Sequence, residues 1–517
     1  MKSKYVLMYA SLFIGLLGIG AYLITYSSRI SNYPFPLSWS ESGRIFNAYQ
    51  VFAPITEARN LSWPWLDPAR AILDGLIFLV PYRQIWLFRF WVIFQSFTVT
   101  GLAIVPIVRR AFNITASHRL VSGKFQMVMF VLWGFLFLLQ GPIYAHLILG
   151  ILPILWFYEP QKPALVFLLV VLGSMWEGLS RVNWFLMPAV IAILLYVLTE
   201  PILGKNIFRY LAKPVLWLGA GGLSSVIVYG LFLKLTGYPM TFLNPEMRYG
   251  FFRFKLWPND GFPLGLIPGI VLAGLPVGIL MLSIIWKQRR LFSWPRLLLI
   301  AALFIIFFSG STLVSLRAGG GYDLHNYDTF LLIVFLCGVF IILGAVASED
   351  NNHHFERHGF GIWPVLIIIP VFFAINQFSL RGFFPSKTSQ KALKQINLVI
   401  KEMGQGKNPI LLIDHRQLLI YHFIPDMELV IPYEKIELME MAMANNKDYF
   451  VDFWKDIQNK KYPLIVSEVL VDAYQNQTSP FGYESNLWFE NVSYPILKNY
   501  RVVYSSKEFP VAIYAPK

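Results

Sequence analysis

Long apolar runs follow one another through most of this 517-residue chain, and they constrain its fold more than any other feature. A helix that crosses a lipid bilayer needs about 20 mostly apolar residues, because lipid offers no hydrogen-bond partner to backbone N–H and C=O groups. The sequence therefore predicts an α-helical polytopic membrane protein with about eleven transmembrane helices. These helices are expected near residues 5–27, 84–108, 125–140, 142–158, 163–180, 183–199, 214–235, 263–286, 296–315, 327–347 and 361–379.

The distribution of charge agrees with a membrane protein and argues against a nucleic-acid partner. Only 14% of the residues are charged, whereas about a quarter are charged in an ordinary soluble domain. A net charge of +14 would suggest nucleic-acid binding in a soluble protein, but here the basic residues lie in short connections between apolar runs. Basic residues in such connections orient a chain in the bilayer.

The connections between the apolar runs predict which parts of the chain lie on each side of the membrane. With a cytoplasmic N-terminus and residues 5–27 as a retained signal-anchor, the short basic connections fall inside, as the positive-inside rule requires. The longer connections, near 28–83, 236–262 and 316–326, carry both signs of charge and fall outside. We therefore expect the function on the outer side, together with an extracytoplasmic C-terminal region.

The composition changes near residue 380, beyond which charged residues are frequent and the apolar runs are too short to cross a membrane. The sequence thus predicts a transmembrane domain over 1–380 and a small extracytoplasmic α/β domain over 381–517. The glycine-rich phosphate loops of nucleotide-binding proteins are absent from the sequence, so we expect this domain to serve binding, docking or stability. A parallel or mixed sheet is favoured, with strands at 409–414, 462–467, 501–504 and 511–514 and a helix over 433–444.

Three polar stretches on the predicted outer side contain residues suited to catalysis. The first surrounds Glu41, which two serines flank, with Arg44 three positions further on. A carboxylate held beside an arginine stays ionised and can accept a proton from an attacking hydroxyl. Glu41 is therefore a candidate catalytic base, and Arg44 a candidate substrate-binding residue. The alternative is a solvated loop acid that pairs with Arg44.

The second stretch, residues 176–184, lies between two apolar runs and contains Glu177, Arg181 and Asn183. Ionisable groups at membrane depth are costly and usually mark a function. Arg181 is a candidate for binding a phosphate through two parallel hydrogen bonds, with Asn183 as a further substrate-binding residue. The alternative is a short external turn with an incidental ion pair between Glu177 and Arg181.

The third stretch, residues 315–328, combines a run of glycines with ionisable side chains. Consecutive glycines allow backbone N–H groups to approach an anion closely, and an adjacent arginine supplies countercharge. Donor atoms of Asp323, His325 and Asp328 suit a divalent metal ion such as Mg²⁺ or Mn²⁺. The alternative is a surface turn without a ligand. The candidate substrate-binding residues here are Arg317, Gly319, Gly320, Gly321, His325 and Asn326.

Several segments resemble a group of bacterial membrane proteins related to the C-type (GT-C) integral-membrane glycosyltransferases. They are WSESGR at 39–44, SRVNW at 180–184, RAGGGYDLHNYD at 317–328, and the tail segments SEVLVDAY and ESNLWFENVSYPIL. The order of signal-anchor, long external loop with an acid, about eleven spans and C-terminal domain resembles that superfamily as well. In the superfamily the first external loop usually carries an aspartate as base, often in an acidic pair. This chain has Glu41 there, between two serines.

The resemblance implies a glycosyltransferase of cell-envelope glycan biosynthesis in the bacterial cytoplasmic membrane. Its donor is expected to be a polyprenyl-phosphate sugar, its acceptor a glycan, lipid or protein, and its transfer to proceed with inversion on the outer face. Glu41 would activate the acceptor hydroxyl, while Arg181 and Arg317 would stabilise the departing phosphate. A lipid-linked glycan transporter, or flippase, and a non-catalytic subunit of a glycan assembly complex are the alternative predictions.

Overall fold

The computed structural model of this protein is mostly helical, with a small sheet near the C-terminus. It describes residues 2–56, 61–114, 120–202, 206–238, 251–317, 321–348, 360–379, 382, 384–404, 409–476, 479–506 and 508–517. The helices before residue 380 are α1 (Lys2–Ser27), α2 (Glu41–Thr56), α3 (Pro68–Gly75), α4 (Ile85–Ile114), α5 (Leu120–Leu138), α6 (Ala145–Phe157), α7 (Pro163–Gly178), α8 (Met187–Thr199), α9 (Ile207–Thr236), α10 (Leu266–Lys287), α11 (Trp294–Leu316), α12 (Asp328–Leu343) and α13 (Trp363–Asn376).

Apolar helices occupy the positions of the apolar runs. Seven helices of the described chain are long and apolar enough to cross a membrane, and the shorter apolar helices α5, α6, α7 and α13 accompany them. Their bounds overlap the segments expected from the sequence. These observations support a helical membrane protein, while the count of eleven crossings stays a prediction.

α12 forms the centre of the membrane part. It contacts α4, α5, α8, α10 and α11, and all of its residues except Phe330 are buried. A helix that is apolar on every side needs neighbours all around it. By contrast, α9 and α11 leave large apolar side chains such as Leu223 and Ile305 exposed, as expected for a surface that faces lipid.

Two arginines bind backbone carbonyls that helices leave unsatisfied at one end of the bundle. Arg110, near the end of α4, donates a hydrogen bond to the carbonyl of Tyr158 at 2.8 Å. Arg296 of α11 donates to the carbonyls of Ala347 and Glu200. Cations are favoured at helix C-termini, where carbonyl groups lack partners. All these residues lie in or beside the connections that the sequence predicts to face the cytoplasm.

The C-terminal region forms a small mixed sheet with helices around it. Its elements are α14 (Lys387–Met403), β1 (Leu411–Leu412), α15 (Gln417–Ile420), α16 (Lys435–Met443), α17 (Lys447–Gln458), β2 (Ile465–Ser467), α18 (Gly482–Trp488), α19 (Tyr494–Asn499), β3 (Tyr500–Ser505) and β4 (Ala512–Pro516). The strand order is β1-β2-β4-β3, with β1 parallel to β2 and β4 antiparallel to both of its neighbours. Each expected strand is present, although β1 and β2 are shorter than expected.

One face of this sheet packs against the connection between α1 and α4. Successive side chains of a strand point to opposite faces. On one face, Leu412 and Ile513 belong to the same buried cluster as Phe46 of α2. On the other face, Leu411 and Tyr514 pack with side chains of α16 and α17. This connection, residues 28–83, is called the first external connection after its predicted side. It shares a hydrophobic core with the C-terminal sheet.

Hydrogen bonds join the connections that the sequence places outside. The backbone N–H of Arg416 donates to the hydroxyl of Ser42 at 3.0 Å, and the N–H of Phe481 donates to the hydroxyl of Tyr322 at 3.0 Å. The first external connection, the connection before α12 and the C-terminal region thus lie together at one end of the helical bundle. Their extracytoplasmic placement and a domain boundary near residue 380 stay predictions.

Candidate functional site

Three arginines surround one tyrosine where the first external connection meets the ends of the membrane helices. Arg44 lies in α2, Arg70 in α3 and Arg181 just after α7, while Tyr144 precedes α6. The guanidinium carbons of Arg70 and Arg181 lie 4.1 and 4.9 Å from the centre of the Tyr144 ring. The charge of Arg44 also acts on Tyr144. We call these four residues the arginine cluster.

A backbone hydrogen bond brings α3 to the membrane helices. The N–H of Ala69 donates to the carbonyl of Leu179 at 2.9 Å, which joins the start of α3 to the end of α7. Just before this contact, Asp67 has a φ of 46°, a left-handed conformation that is uncommon outside glycine. Its carboxylate lies 4.0 Å from Nε of Arg181. Backbone strain of this kind is concentrated at functional sites.

Arg44 and Arg70 of the arginine cluster bind different kinds of partner. Asp74 lies 3.4 Å from Arg70, but Arg44 donates to the uncharged hydroxyls of Ser38 and Ser40 at 3.1 and 2.7 Å. Burial and the neighbouring charge of Arg70 lower the pKa of the Arg44 guanidinium. A bound anion would offset the repulsion between Arg44 and Arg70.

The positive potential also changes the acidity of Tyr144. Burial raises the pKa of its hydroxyl, but the charges of the three arginines and of His325 outweigh burial and lower that pKa to about 7. The ring of His325 lies 6.4 Å from the ring of Tyr144. A tyrosine shifted in this direction marks a strongly positive environment, and such an environment suits an anionic ligand.

Glu41 lies in the first turn of α2 and binds Arg89 of α4. Arg89 donates to the two carboxylate oxygens at 2.9 and 3.1 Å, and the backbone N–H of Leu37 donates at 2.6 Å. The partner of Glu41 is therefore Arg89, not the expected Arg44, and the side chain of Glu41 is only 12% exposed. This pair holds the start of α2 against α4. A catalytic role for Glu41 stays a prediction.

Of the third polar stretch, the structure brings His325 to the arginine cluster. Nδ1 of His325 lies 2.5 Å from Oδ1 of Asp323. The ring of His325 packs so closely on Gly321 that a Cβ at this glycine would overlap it. Gly321 is therefore needed for the position of His325. Gly319 and Gly320 lie outside the described residues.

The expected metal ligands face different partners. Asp328 accepts hydrogen bonds from Nε1 of Trp184 at 2.9 Å and from the N–H of Thr329 at 2.6 Å, whereas Asp323 binds His325. Within the described part of the chain, no group of three His, Cys, Asp or Glu side chains is arranged to hold a metal ion. A divalent metal at Asp323, His325 and Asp328 stays a prediction, and we assign no catalytic step to it.

Arg317 lies with a different segment of the chain. Its backbone forms an isolated antiparallel bridge with Phe251, and its carbonyl accepts a hydrogen bond from Nζ of Lys255 at 2.9 Å. These contacts place Arg317 beside the connection between α9 and α10. The remaining candidates differ in exposure, since Asn326 is buried and Asn183 is half-buried in the turn before α8.

Buried polar side chains adjoin the arginine cluster on its membrane side. The ring of His146 stacks 5.9 Å from that of Tyr144. Glu177 of α7 is fully buried, and neither of its carboxylate oxygens has a hydrogen-bond partner among the described residues. Glu177 therefore does not form the expected ion pair with Arg181. Acids buried in membrane helices are usually retained for a function.

Sequence reasoning missed Asp67, Arg70 and Tyr144 as site residues. Two local signals were present, because Asp-Pro is a helix-start signal and Arg70 has the i,i+4 spacing of an ion pair with Asp74. They predict a short helix in the first external connection. Nothing local indicates that this helix meets Tyr144, since the two segments are far apart in the chain.

Comparisons with known proteins do not identify this chain. No protein-family model matches it, and no curated protein matches it. The assignment of a function therefore depends on the geometry of the arginine cluster, and the resemblance to the C-type glycosyltransferases stays a prediction.

Proposed function

We propose that this protein is a membrane glycosyltransferase that moves a sugar from a polyprenyl-phosphate donor to an acceptor hydroxyl on the outer face of a bacterial cytoplasmic membrane. The supporting observation is the arginine cluster, whose guanidinium groups gather around Tyr144 at the ends of apolar helices. Guanidinium groups bind phosphate through paired, charge-assisted hydrogen bonds. A lipid phosphate can reach this position while its chain stays among the membrane helices.

In this proposal, Asp67 is the base. Its side chain is 17% exposed and lies 4.0 Å from Arg181, so a carboxylate adjoins the phosphate-binding groups. Asp67 accepts the proton of the acceptor hydroxyl. The hydroxyl oxygen forms a bond to the anomeric carbon while the bond from that carbon to the phosphate oxygen breaks. The electron pair leaves with polyprenyl phosphate, and this single displacement inverts the anomeric centre.

The arginine cluster stabilises the leaving group. Negative charge increases on the phosphate as the glycosidic bond breaks, and fixed positive groups at that position lower the barrier because they need no reorganisation. Arg44, Arg70 and Arg181 supply this charge. His325, which Asp323 orients, adds a hydrogen-bond donor beside Tyr144.

The test is turnover of a panel of polyprenyl-phosphate sugars by the purified full-length protein in lipid nanodiscs. Wild type is expected to release polyprenyl phosphate and to glycosylate an acceptor. Asp67→Asn and Arg181→Ala are each expected to lower turnover by about 100-fold. The matched controls are Asp260→Asn and Arg289→Ala, whose side chains are exposed and whose loss should change turnover by less than about twofold.

Glu41→Gln separates the two candidate bases. If Asp67→Asn keeps the activity of wild type and Glu41→Gln abolishes it while the protein stays folded, Glu41 is the base and the role of Asp67 is wrong. If the polyprenyl-linked glycan moves across the membrane without a new glycosidic bond, the protein is a transporter. Absence of both activities for every donor would favour a non-catalytic subunit.

A further inference from the structure

A cleft of about 260 Å³ lies between the first external connection and the C-terminal region. One wall comes from α2 with residues 62 and 64–66, the other from residues 431, 432, 434, 436 and 437, and the end of α9 borders both. We call it the loop–domain cleft. The lining residues that bear on its chemistry are Phe46, Asn47, Gln50, Trp65, Glu434 and Glu437.

This lining combines aromatic rings with groups that form hydrogen bonds. Phe46 and Trp65 supply ring surfaces, and Asn47, Glu434 and Glu437 supply amide and carboxylate groups. A sugar ring has the complementary character, because its C–H faces pack on aromatic rings while its hydroxyls bond to carboxylates and amides. A purely apolar ligand would make no use of the amide and carboxylate groups of the cleft.

The wall that carries Trp65 is held in place before any ligand binds. Nε2 of Gln50 donates to the carbonyl of Ser62 at 3.0 Å, and the hydroxyl of Tyr238 donates to the carbonyl of Trp63 at 2.6 Å. The two bonds fix the segment just before Trp65 to α2 and to the end of α9. A pre-formed wall reduces the entropy lost when a ligand binds.

Glu434 has a buried oxygen without a hydrogen-bond partner. Only 3% of this residue is exposed, and Oε2 accepts from the N–H groups of Ile436 and Glu437 at 2.7 and 3.2 Å. Oε1 has no partner among the described residues, and burial raises the pKa of the carboxyl to about 7. Oε1 lies beside Gly43 of α2, one helical turn before the cleft-lining Phe46 and Asn47. A ligand hydroxyl that enters between this glycine and Glu434 would satisfy Oε1, whose burial without a partner is otherwise costly.

The loop–domain cleft adjoins the arginine cluster. Leu66 lines the cleft, and the next residue, Asp67, faces Arg181. From the opposite wall, the charge of Glu440 in α16 also acts on Arg181. A ligand in the cleft therefore lies next to the position proposed for the donor phosphate.

We infer that the loop–domain cleft binds the saccharide acceptor, with one sugar ring on Trp65 and one hydroxyl bonded to Oε1 of Glu434. This inference rests on the proposed transferase function. It places the acceptor on the cleft side of Asp67 and the donor phosphate on the side of the arginine cluster. It also excludes a simple lipid as the acceptor, because a lipid would use neither group.

The test measures saccharide binding separately from turnover. Full-length protein in nanodiscs, free of maltoside detergents whose head groups are sugars, is applied to an array of bacterial glycans, and the Kd of the best-bound glycan is then measured. Trp65→Ala and Glu434→Gln are each expected to weaken binding by about tenfold or more. Trp65→Phe, which keeps a ring, should recover part of the loss. Glu434→Gln keeps an oxygen that can cap α16.

Trp63→Ala is the matched control. Trp63 is 43% exposed, lies two positions from Trp65 and contributes only its backbone carbonyl to the contact with Tyr238. Its replacement should change Kd by less than about twofold. Binding of no glycan, or equal binding by wild type, Trp65→Ala and Glu434→Gln, would overturn the inference.

The failure of the inference is distinguishable from the failure of the proposed function. Arg181→Ala should lose turnover but keep glycan binding, because it contacts the donor phosphate and not the acceptor. If glycan binding depends on the cleft but no donor is turned over, the cleft is a saccharide-binding site and the proposed transferase function is wrong. Turnover that is insensitive to Trp65→Ala and Glu434→Gln would support the transferase and refute the acceptor site.

Discussion

Arg89 is the residue on which the connection between α1 and α2 depends. Its guanidinium is buried and donates to Glu41 and to the carbonyls of Ser31, Tyr33 and Phe35. A buried charge is tolerated only when it is paired and its donors are satisfied. The pair explains why an acid lies between two serines in this loop without any reference to catalysis.

Glu41→Gln is therefore expected to destabilise the protein, whatever its effect on turnover. The amide keeps the shape of the side chain but directs an NH₂ group at Arg89, which should lower the free energy of unfolding by about 2 kcal/mol. The apparent melting temperature in nanodiscs measures this loss. Glu159→Gln is the control, because its pair with Lys162 is exposed. A variant that melts like wild type but lacks turnover would place Glu41 in the reaction instead.

Tyr144 predicts a pH dependence of donor binding. The hydroxyl of Tyr144 has a pKa of about 7, so it loses its proton and becomes negatively charged as the pH rises. An anionic donor binds better beside the uncharged hydroxyl. Donor affinity should thus be full below this pKa and fall above it. Tyr144→Phe removes the ionisable group, so the KM for the donor should rise less steeply with pH. Parallel KM profiles of wild type and Tyr144→Phe would contradict this role.

At the scale of secondary-structure elements, α16 joins three parts of the molecule. At its first residue, Nζ of Lys435 lies 2.6 Å from Asp414 and 3.5 Å from Glu468. The same ammonium lies 4.8 Å from the ring of Trp39 in the first external connection. Glu434, which lines the loop–domain cleft, caps the helix. The position of one helix end therefore affects the sheet, the first external connection and the cleft.

Lys435→Met is expected to destabilise the C-terminal region strongly. It leaves the buried carboxylate of Asp414 without its counterion, and removal of one partner from a buried pair costs about 3–5 kcal/mol. Thermal unfolding and limited proteolysis of the purified variant measure the loss. The control, Lys461→Met, breaks a pair whose lysine is 49% exposed, and it should cost less than about 1 kcal/mol. Equal losses from the two variants would contradict the buried-pair interpretation.

Elements were more predictable from the sequence than the contacts between them. Apolar runs and short β-type runs gave the positions of α1, α4–α13 and β1–β4, because burial in lipid or in a sheet imposes a local pattern. The short helix α3 was not predicted, because its eight residues carry only two local signals, the Asp-Pro start and the spacing of Arg70 and Asp74, which sequence reasoning did not use. Its Arg70 was therefore missed although Arg44 and Arg181 were named.

At the scale of the whole molecule, the site depends on pairings that local pattern does not encode. Glu41 and Arg44 are neighbours in sequence, yet Glu41 binds Arg89 and Arg44 lies in the arginine cluster. Arg317, which the glycine run suggested as an anion ligand, lies beside Phe251. Such partners are set by which helix ends meet, and a single sequence carries little information about that.

The predicted topology applies to the whole chain and can be tested directly. The longer connections and the C-terminal region cluster at one end of the bundle. They must therefore all lie on the same side of the membrane. A reporter that is active only outside the cytoplasm should work when fused after Lys517 or inserted near Asp260. Activity of a cytoplasmic reporter at Lys517 would contradict an extracytoplasmic C-terminal region.

The hydrophobic core shared by the first external connection and the C-terminal sheet has a consequence for biogenesis. Phe46 is synthesised long before Ile513 of β4, although the two residues belong to the same buried cluster. The connection must therefore wait, with apolar side chains uncovered, until β4 has been synthesised and can pack with it. Premature termination before β4 would leave it permanently uncovered, and such fragments should be quickly degraded.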